Sequence, residues 1–515
     1  MKPKMMKLSI PRDSNSLLCA IISLSLCGTA VAHKQDPRFE ELANSKTFEG
    51  RQTEESTVAL MDEMLFQRAS QIYLWAMPLI NTMGMKTGSE KKFGAGYNVL
   101  PVWKERLNAK TQILTPNSDV LYALSYVDLG KDGPLVIEAA PKLQAILLDF
   151  WQRPIPGPEI RGHIYMGDIG FFGPDKGKGG KFLLLPPDYN GVVPEGYFTY
   201  RAETNNVFIF LRSFYQDPKD LSSAVKTMTS TRIYPLGKED KAKRMIFPNA
   251  SVVPANMLPA SDSTAFDHLK QLLDSEPTSL VESDWRGMLS AIGIAKGKPF
   301  KPDVKTRKIL DSAAGTAYQM SRVLGRKMVI NGLDGRIFPD LHWVNPMATG
   351  NPFNVTWHRP SDGALALDSR TNFFTSYYSW SPGMVSQVPG MGANYWISHY
   401  DSKGGPLSGG KNYKITLDPK VPVANFWSMT LYEASNSSGL DNGQPFPSLG
   451  SRDKPEVNAD GTIDLYFGAK APAGKEANWM ATVPGRGFFA IMRFYSPTEK
   501  TFDGSWKLTD FVEVK

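Results

Sequence analysis

The chain has 515 residues, 42% hydrophobic and 21% charged, with only two cysteines and a formal net charge of +7. That length supports large hydrophobic interiors shared among two or three domains, and 38 prolines with 44 glycines mark many turns. So small a charge over this length, with no dense Lys/Arg block, excludes a nucleic-acid binder built on a basic stripe.

The first 32 residues read as a secretory signal peptide. Lys2, Lys4, Lys7 and Arg12 precede an apolar run from Leu17 to Ala32, which closes on the small-x-small signal Ala30-Val31-Ala32. Cleavage there makes His33 the first mature residue and leaves 54 basic against 50 acidic residues, a net charge of +4. It also removes Cys19 and Cys27. Cys27 after Leu24-Ser25-Leu26 is a weak lipoprotein signal, since Leu26 stands where a small residue is wanted. The exported product, periplasmic or secreted, then has no thiol, which excludes disulfides, cysteine nucleophiles and thiolate metal sites. After residue 32 no apolar stretch is long enough to cross a bilayer, so no transmembrane anchor is expected.

Residues 33–55 are polar and are expected to form a loose leader. From Ser56, Leu60, Met64, Ala69, Ile72, Leu74 and Trp75 recur at helical spacing, and Pro78 is expected to end or kink that helix. Short β-like runs follow at 120–129, 135–139, 146–151, 181–185 and 206–212. The glycine cluster at 173–180 resembles a phosphate loop only superficially, because no Gly-Lys-Ser/Thr and no helix pattern follow. It predicts a solvated hairpin loop. The middle is helical at 266–273, 285–292 and 303–324, the last with Ile309, Ala313, Ala317, Ser321 and Leu324 on one face. Strands return at 425–432, 462–467 and 487–495, with Asp460-Gly461 as a tight turn. The fold class is therefore α+β. A mixed N-terminal domain spans 56–245, a helical segment 246–330, and a C-terminal antiparallel, jelly-roll-like β-sandwich 331–515.

Two stretches carry ordered motifs. The first runs Thr115-Pro-Asn117-Ser-Asp119-Val-Leu-Tyr122, Asp128-Leu, Gly133-Pro-Leu-Val and Asp149-Phe-Trp151, then Leu185-Pro-Pro, Gly191-x-x-Pro194 and Thr204-Asn205-Asn206. It resembles the DUF1254 family. The second runs Asn425-Phe-Trp427-Ser-Met-Thr-Leu-Tyr432, Asp460-Gly461, Pro472-x-Gly474, Asn478-Trp479, Arg493-x-Tyr495 and Asp503-Gly504-x-Trp506. It resembles the DUF1214 family. The resemblance implies a mixed N-terminal domain and a sandwich-like C-terminal one. It supplies no catalytic residue set.

Several constellations could carry chemistry. Asn117 and Asp119 after Pro116 suit a turn feeding a strand, where their side chains cap backbone amides. The alternative is a polar mouth at a sheet end, with Tyr122 donating a hydrogen bond. On a strand at 146–151, Asp149 and Trp151 share one side, and burial beside the indole would raise the Asp149 pKa and suit it to proton transfer. A buried, hydrogen-bonded structural carboxylate is the other reading. His163 is the one histidine in the N-terminal motif region and the natural acid–base partner, unless it is structural. His342, His358 and His399, with Asp340, lack tight ligand spacing, so no metal site is expected. The segment 371–400 holds eight aromatics against 11% for the chain, broken by Gly383, Gly390, Gly392, Pro382 and Pro389. Aromatics on loops offer flat apolar surface with polar rims, suited to a ligand or partner; a sandwich core or oligomer interface is the alternative.

No Gly-x-Ser-x-Gly elbow, nucleotide fingerprint or calcium loop occurs. The leading expectation is an exported enzyme, a hydrolase or lyase, acting on a small-molecule or glycan-like substrate by acid–base chemistry without thiol, nucleotide, flavin or other cofactor. Asp149, His163 and Tyr122 would be catalytic. Asn117, Asp119, Trp151, Tyr377, Tyr378, Trp380, Trp396 and the Asn478-Trp479 pair would hold substrate. The rival is an exported ligand- or partner-binding protein without turnover, free to self-associate.

Overall fold

Two helices occupy the stretch where one broken helix is expected. Helix α1, Glu54–Trp75, stops at Ala76, and α2, Met77–Phe93, carries Pro78 in its first turn, where the missing N–H leaves no bond unmade. The computed structural model describes residues 37–330, 333–346, 357, 358, 362–385 and 388–515. The signal-peptide reading, with Cys19, Cys27 and His33, lies outside the described residues. Those up to Met61 form one compact unit and those from Asp62 another. The first contains a helix, Pro37–Ala43, and the antiparallel pair Thr47–Phe48 and Arg51–Gln52, so regular structure begins within the expected leader.

In the second unit, the strands β1 (Leu121–Asp128), β2 (Leu135–Ala139), β3 (Gln144–Asp149), β4 (Asp168–Ile169), β5 (Gly180–Leu185), β6 (Phe198–Arg201), β7 (Asn206–Ser213) and β8 (Arg232–Pro235) form two four-stranded sheets. Their orders are β1-β7-β3-β4 and β6-β5-β2-β8. Strand alternation decides what each face meets. From the first sheet, Leu121, Ala123, Leu147, Ile209 and Leu211 pack with Ile137, Phe182 and Leu184 of the second. The alternate residues Tyr122, Leu124, Tyr126, Ile146, Phe208 and Phe210 pack into a core shared with the helices. The 173–180 loop joins β4 of one sheet to β5 of the other, so it is not the expected hairpin. Its Asp175 carboxylate accepts the Gly170 and Gly179 N–H groups at 2.7 and 3.0 Å.

The helical middle comprises α3 (Thr264–Ser275), α4 (Ser283–Ala291) and α5 (Val304–Leu324). Asp303 caps α5 by accepting the Thr306 N–H at 2.7 Å, and Leu310, Ala313, Ala314 and Ala317 bury the small-residue face. The C-terminal part contains β9 (Trp343–Val344), α6 (Leu367–Ser376), β10 (Ala393–Ser398), β11 (Asn412–Leu417), β12 (Val423–Glu433), β13 (Ser448–Gly450), β14 (Ile463–Gly468), β15 (Trp479–Ala481), β16 (Phe488–Pro497) and β17 (Val512–Val514). Sheets ordered β9-β10-β16-β12-β13 and β15-β14-β11-β17 share one core, which makes this part a sandwich. All its ladders are antiparallel except β14 with β15. Trp427, Met429 and Leu431 of β12 and Met492 and Phe494 of β16 point into that core. Ser428, Thr430, Tyr432, Arg493 and Tyr495 therefore take the opposite face.

Candidate functional site

The outer face of the five-stranded sheet and the helix-side face of the β1 sheet enclose two adjoining chambers. The outer is a cleft of ≈ 570 Å³, with Phe171, Phe172, Phe214 and Met391 along its walls and Lys142 and Lys176 beside them. The inner, ≈ 50 Å³, is lined by Thr115, Tyr122, Phe210, Tyr377, Tyr378 and Arg493 among others. Asn117, Arg212, Met384 and Tyr395 border both, so the chambers meet there.

The strands set this arrangement. Tyr122 faces Arg212 across the β1–β7 ladder, while Tyr395, Arg493 and Ser428 form one row across β10, β16 and β12. Tyr122 stacks on Phe210 with centroids 5.5 Å apart, and Tyr378 meets Phe210 edge-on at 5.5 Å. Arg493, 2% exposed, donates to Thr430 Oγ1 at 3.1 Å and to the Thr115 carbonyl at 3.0 Å. These bonds use two of its five N–H groups. Burial would lower its pKa, but Tyr432, Tyr495, Asp119 and Tyr395 hold it up, so the guanidinium stays charged. Arg212 has no carboxylate partner among the described residues, and its Nε is buried without an acceptor. The Tyr377 hydroxyl is likewise buried and unpartnered.

Behind the chambers, residues 115–119 are fastened to the C-terminal half. The Asp119 carboxylate accepts Ser428 Oγ at 2.6 Å and Tyr495 Oη at 2.9 Å. Tyr432 Oη donates to the Pro116 carbonyl at 2.6 Å. The Thr115 N–H donates to the Ser437 carbonyl at 2.7 Å and its hydroxyl to the Ser376 carbonyl at 2.6 Å. This web holds Thr115 at φ 35°, a left-handed conformation that a β-branched residue seldom adopts.

Family models for proteins of unknown function match at residues 97–235 (DUF1254) and 392–499 (DUF1214). The chain carries the two domains of the DUF1254/DUF1214 family. Asn117, Asp119 and Tyr122 of the DUF1254 motif thus meet Ser428, Tyr432, Arg493 and Tyr495 of the DUF1214 motif. No curated protein matches the chain. The crystal structure of the VPA0106 protein from Vibrio parahaemolyticus is similar over 88% of this chain and 100% of its own, at 19% identity and a TM-score of 0.51, a likeness of fold. An uncharacterised protein from Burkholderia cenocepacia matches over 92% of this chain and 98% of its own, at 15% identity and a TM-score of 0.40.

The residues singled out from sequence divide sharply. Asn117, Tyr122, Tyr377 and Tyr378 line the inner chamber; Asn117 Oδ1 also accepts the Asp119 N–H at 2.9 Å, the turn role expected of it. Asp149 and His163 line neither chamber, so the structure does not assemble them with Tyr122. Asp149 is buried and bonded to Arg153 through the backbone N–H at 2.8 Å and Nε at 2.6 Å. Burial raises its pKa, and Arg153 opposes the rise. His163 is exposed on a two-stranded ribbon, edge-on to Tyr165. Strand β3 ends at Asp149, and half-buried Trp151 packs on the helical core. Trp380, expected beside a cleft, is 1% exposed in that core next to Trp357. Trp396 lies inside the sandwich against Phe494. Asn478 staples Glu456 and Asp464 backbone, and Trp479 Nε1 donates to the Gly468 carbonyl at 2.9 Å. His342 pairs with Asp510 at 2.7 Å, and among the described residues no three His, Cys, Asp or Glu gather to hold a metal.

Arg212, Arg493 and Tyr495 were not among the candidates. The signal for two of them was present: Arg493-x-Tyr495 in a strand puts both on the face opposite Phe494.

Proposed function

We propose that this chain is an exported small-molecule-binding protein whose ligand occupies the cleft between the DUF1254 and DUF1214 domains without turnover. One observation carries the reading: the described residues lining both chambers include four cations and no Asp, Glu or His. Acid–base catalysis needs a group that exchanges its proton near working pH. The hydroxyls here do not. Burial, more than any other cause, pushes the Tyr122, Tyr377 and Tyr378 pKa values above the ordinary phenol range, so they remain hydrogen-bond donors. The volume of the outer chamber also falls within the range of small-molecule sites. Export rests on the sequence of residues 1–32, and sequencing the secreted product from His33 would test it.

Thermal-shift screening of metabolite and oligosaccharide libraries tests the binding. A ligand at a hundred times its Kd adds about 2.7 kcal/mol, roughly 3 °C for a cooperative unit of this size. Ser223 and Thr227 line the cleft from one helix, Ser222–Thr229, which carries large side chains without backbone strain. The double variant Ser223→Trp/Thr227→Trp should fold normally and lose the shift. A ligand that shifts both proteins equally, or that mass spectrometry finds consumed, would defeat the proposal.

A further inference from the structure

Resting on that reading, we propose that the ligand is an organic acid with an apolar or aromatic body, bound with its carboxylate inward between Arg212 and Arg493 and its body along the outer cleft.

Size separates the two parts. A space of ≈ 50 Å³ holds a carboxylate-sized group and little else, whereas ≈ 570 Å³ accommodates a ring system or an acyl chain. A planar guanidinium matches a carboxylate with two parallel N–H···O bonds. Among the described residues no carboxylate pairs with Arg212, whose buried Nε has no acceptor, although Asp168 feels its charge. Tyr122 pairs with Arg212 across the β1–β7 ladder and lines the inner chamber together with Arg212 and Arg493. The unpartnered Tyr377 hydroxyl supplies a further donor to an incoming oxygen. The nearest acid of the motif, Asp119, is already engaged by Ser428 and Tyr495 and lines neither chamber. Outside, Phe171 is 60% and Phe214 46% exposed, apolar surface at the cleft that a ligand body would cover. Lys142 and Lys176 add positive charge along the approach, which favours anions kinetically.

The test is titration calorimetry of the full mature chain with 2-naphthoate, 3-phenylpropionate and decanoate, each beside its primary amide, and with 2-naphthalenesulfonate and 2-naphthylphosphonate. The acids should bind at least tenfold tighter than the amides, and the phosphonate more weakly than the naphthoate. Arg212→Gln should bring the acids down to the level at which the same variant binds the amides. Arg212→Lys, which keeps the charge but not the fork, should recover part of the preference. Circular dichroism and unfolding curves establish that each variant is folded. Equal binding of acids and amides, absence of acid binding, or an acid preference that survives in Arg212→Gln overturns the proposal. If neutral probes bind and the tryptophan pair at 223 and 227 blocks them, the cleft reading stands while the anion assignment falls. If acids bind but that pair leaves their affinity unchanged, both fail.

Discussion

Replacing Asp119 by alanine should cost about 3–5 kcal/mol of stability, far more than a loop position usually costs. The residue is 5% exposed, and its carboxylate accepts hydroxyl hydrogen bonds at 2.6 Å from Ser428 and 2.9 Å from Tyr495. Hydrogen bonds to a charged acceptor contribute about 1.5–3 kcal/mol each, and here removal leaves two buried donors unpaired. It also strips Arg493 of its nearest counter-charge in a dry environment, which adds to the loss. Ser428→Ala alone should cost about 1.5–2 kcal/mol. Because the two side chains share one bond, the double variant should cost about 1–2 kcal/mol less than the sum of the singles. Asp119→Asn keeps one acceptor oxygen and should fall between wild type and alanine. Urea unfolding followed by tryptophan fluorescence measures the wild type and all four variants. For a unit of roughly 450 residues the Asp119→Ala melting point should drop by about 3–5 °C. A loss under 1 kcal/mol, or strict additivity with Ser428→Ala, would show that this contact does not hold the halves together.

Trp380→Ala should cost about 3–5 kcal/mol, since the indole is 1% exposed within the helical core and leaves a cavity; a loss below 1 kcal/mol in denaturant would place it elsewhere. Burial pushes the Asp168 carboxyl up to about 6, against the pull of the Gly383 N–H and Arg212. Below about pH 4 this group is protonated in both folded and unfolded chains. As the pH rises to about 6 only the unfolded chain releases its proton, so stability falls by up to about 3 kcal/mol and then levels. Asp168→Asn should therefore gain on wild type between pH 4 and 7 when unfolding free energies are compared, and parallel pH curves would contradict this.

Local pattern carried much of the architecture. The short runs at 206–212 and 425–432 predicted strands now seen at Asn206–Ser213 and Val423–Glu433, and the small-residue face predicted α5. The aromatic segment misled for a physical reason. Its glycines and prolines read as exposed loop, yet Gly383 lies where a Cβ would sit 2.7 Å from the Phe172 ring, so there glycine marks close packing. Helix α6 then carries Phe373 and Phe374 into the core, and Trp380 follows. The site itself was half visible. Asn117, Tyr122, Tyr377 and Tyr378 stood out by type, but Arg212 looked like any strand-end cation. Nothing along the chain announces that β7 and β16 will face each other, because that contact depends on the packing of two separate sheets. Asp149 and His163 had acid–base chemistry but no shared cavity.

The fastening of residues 115–119 bears on how such a gene can change. Seven bonds that shape one wall of the chambers cross from the first half of the coding sequence to the second. A recombination that exchanged either half for a diverged counterpart would inherit one side of that seam without its match. Substitutions at 115–119 and at 428, 432 and 495 are thus expected to be acceptable in combination more often than singly, and the two halves to travel through descent as a pair.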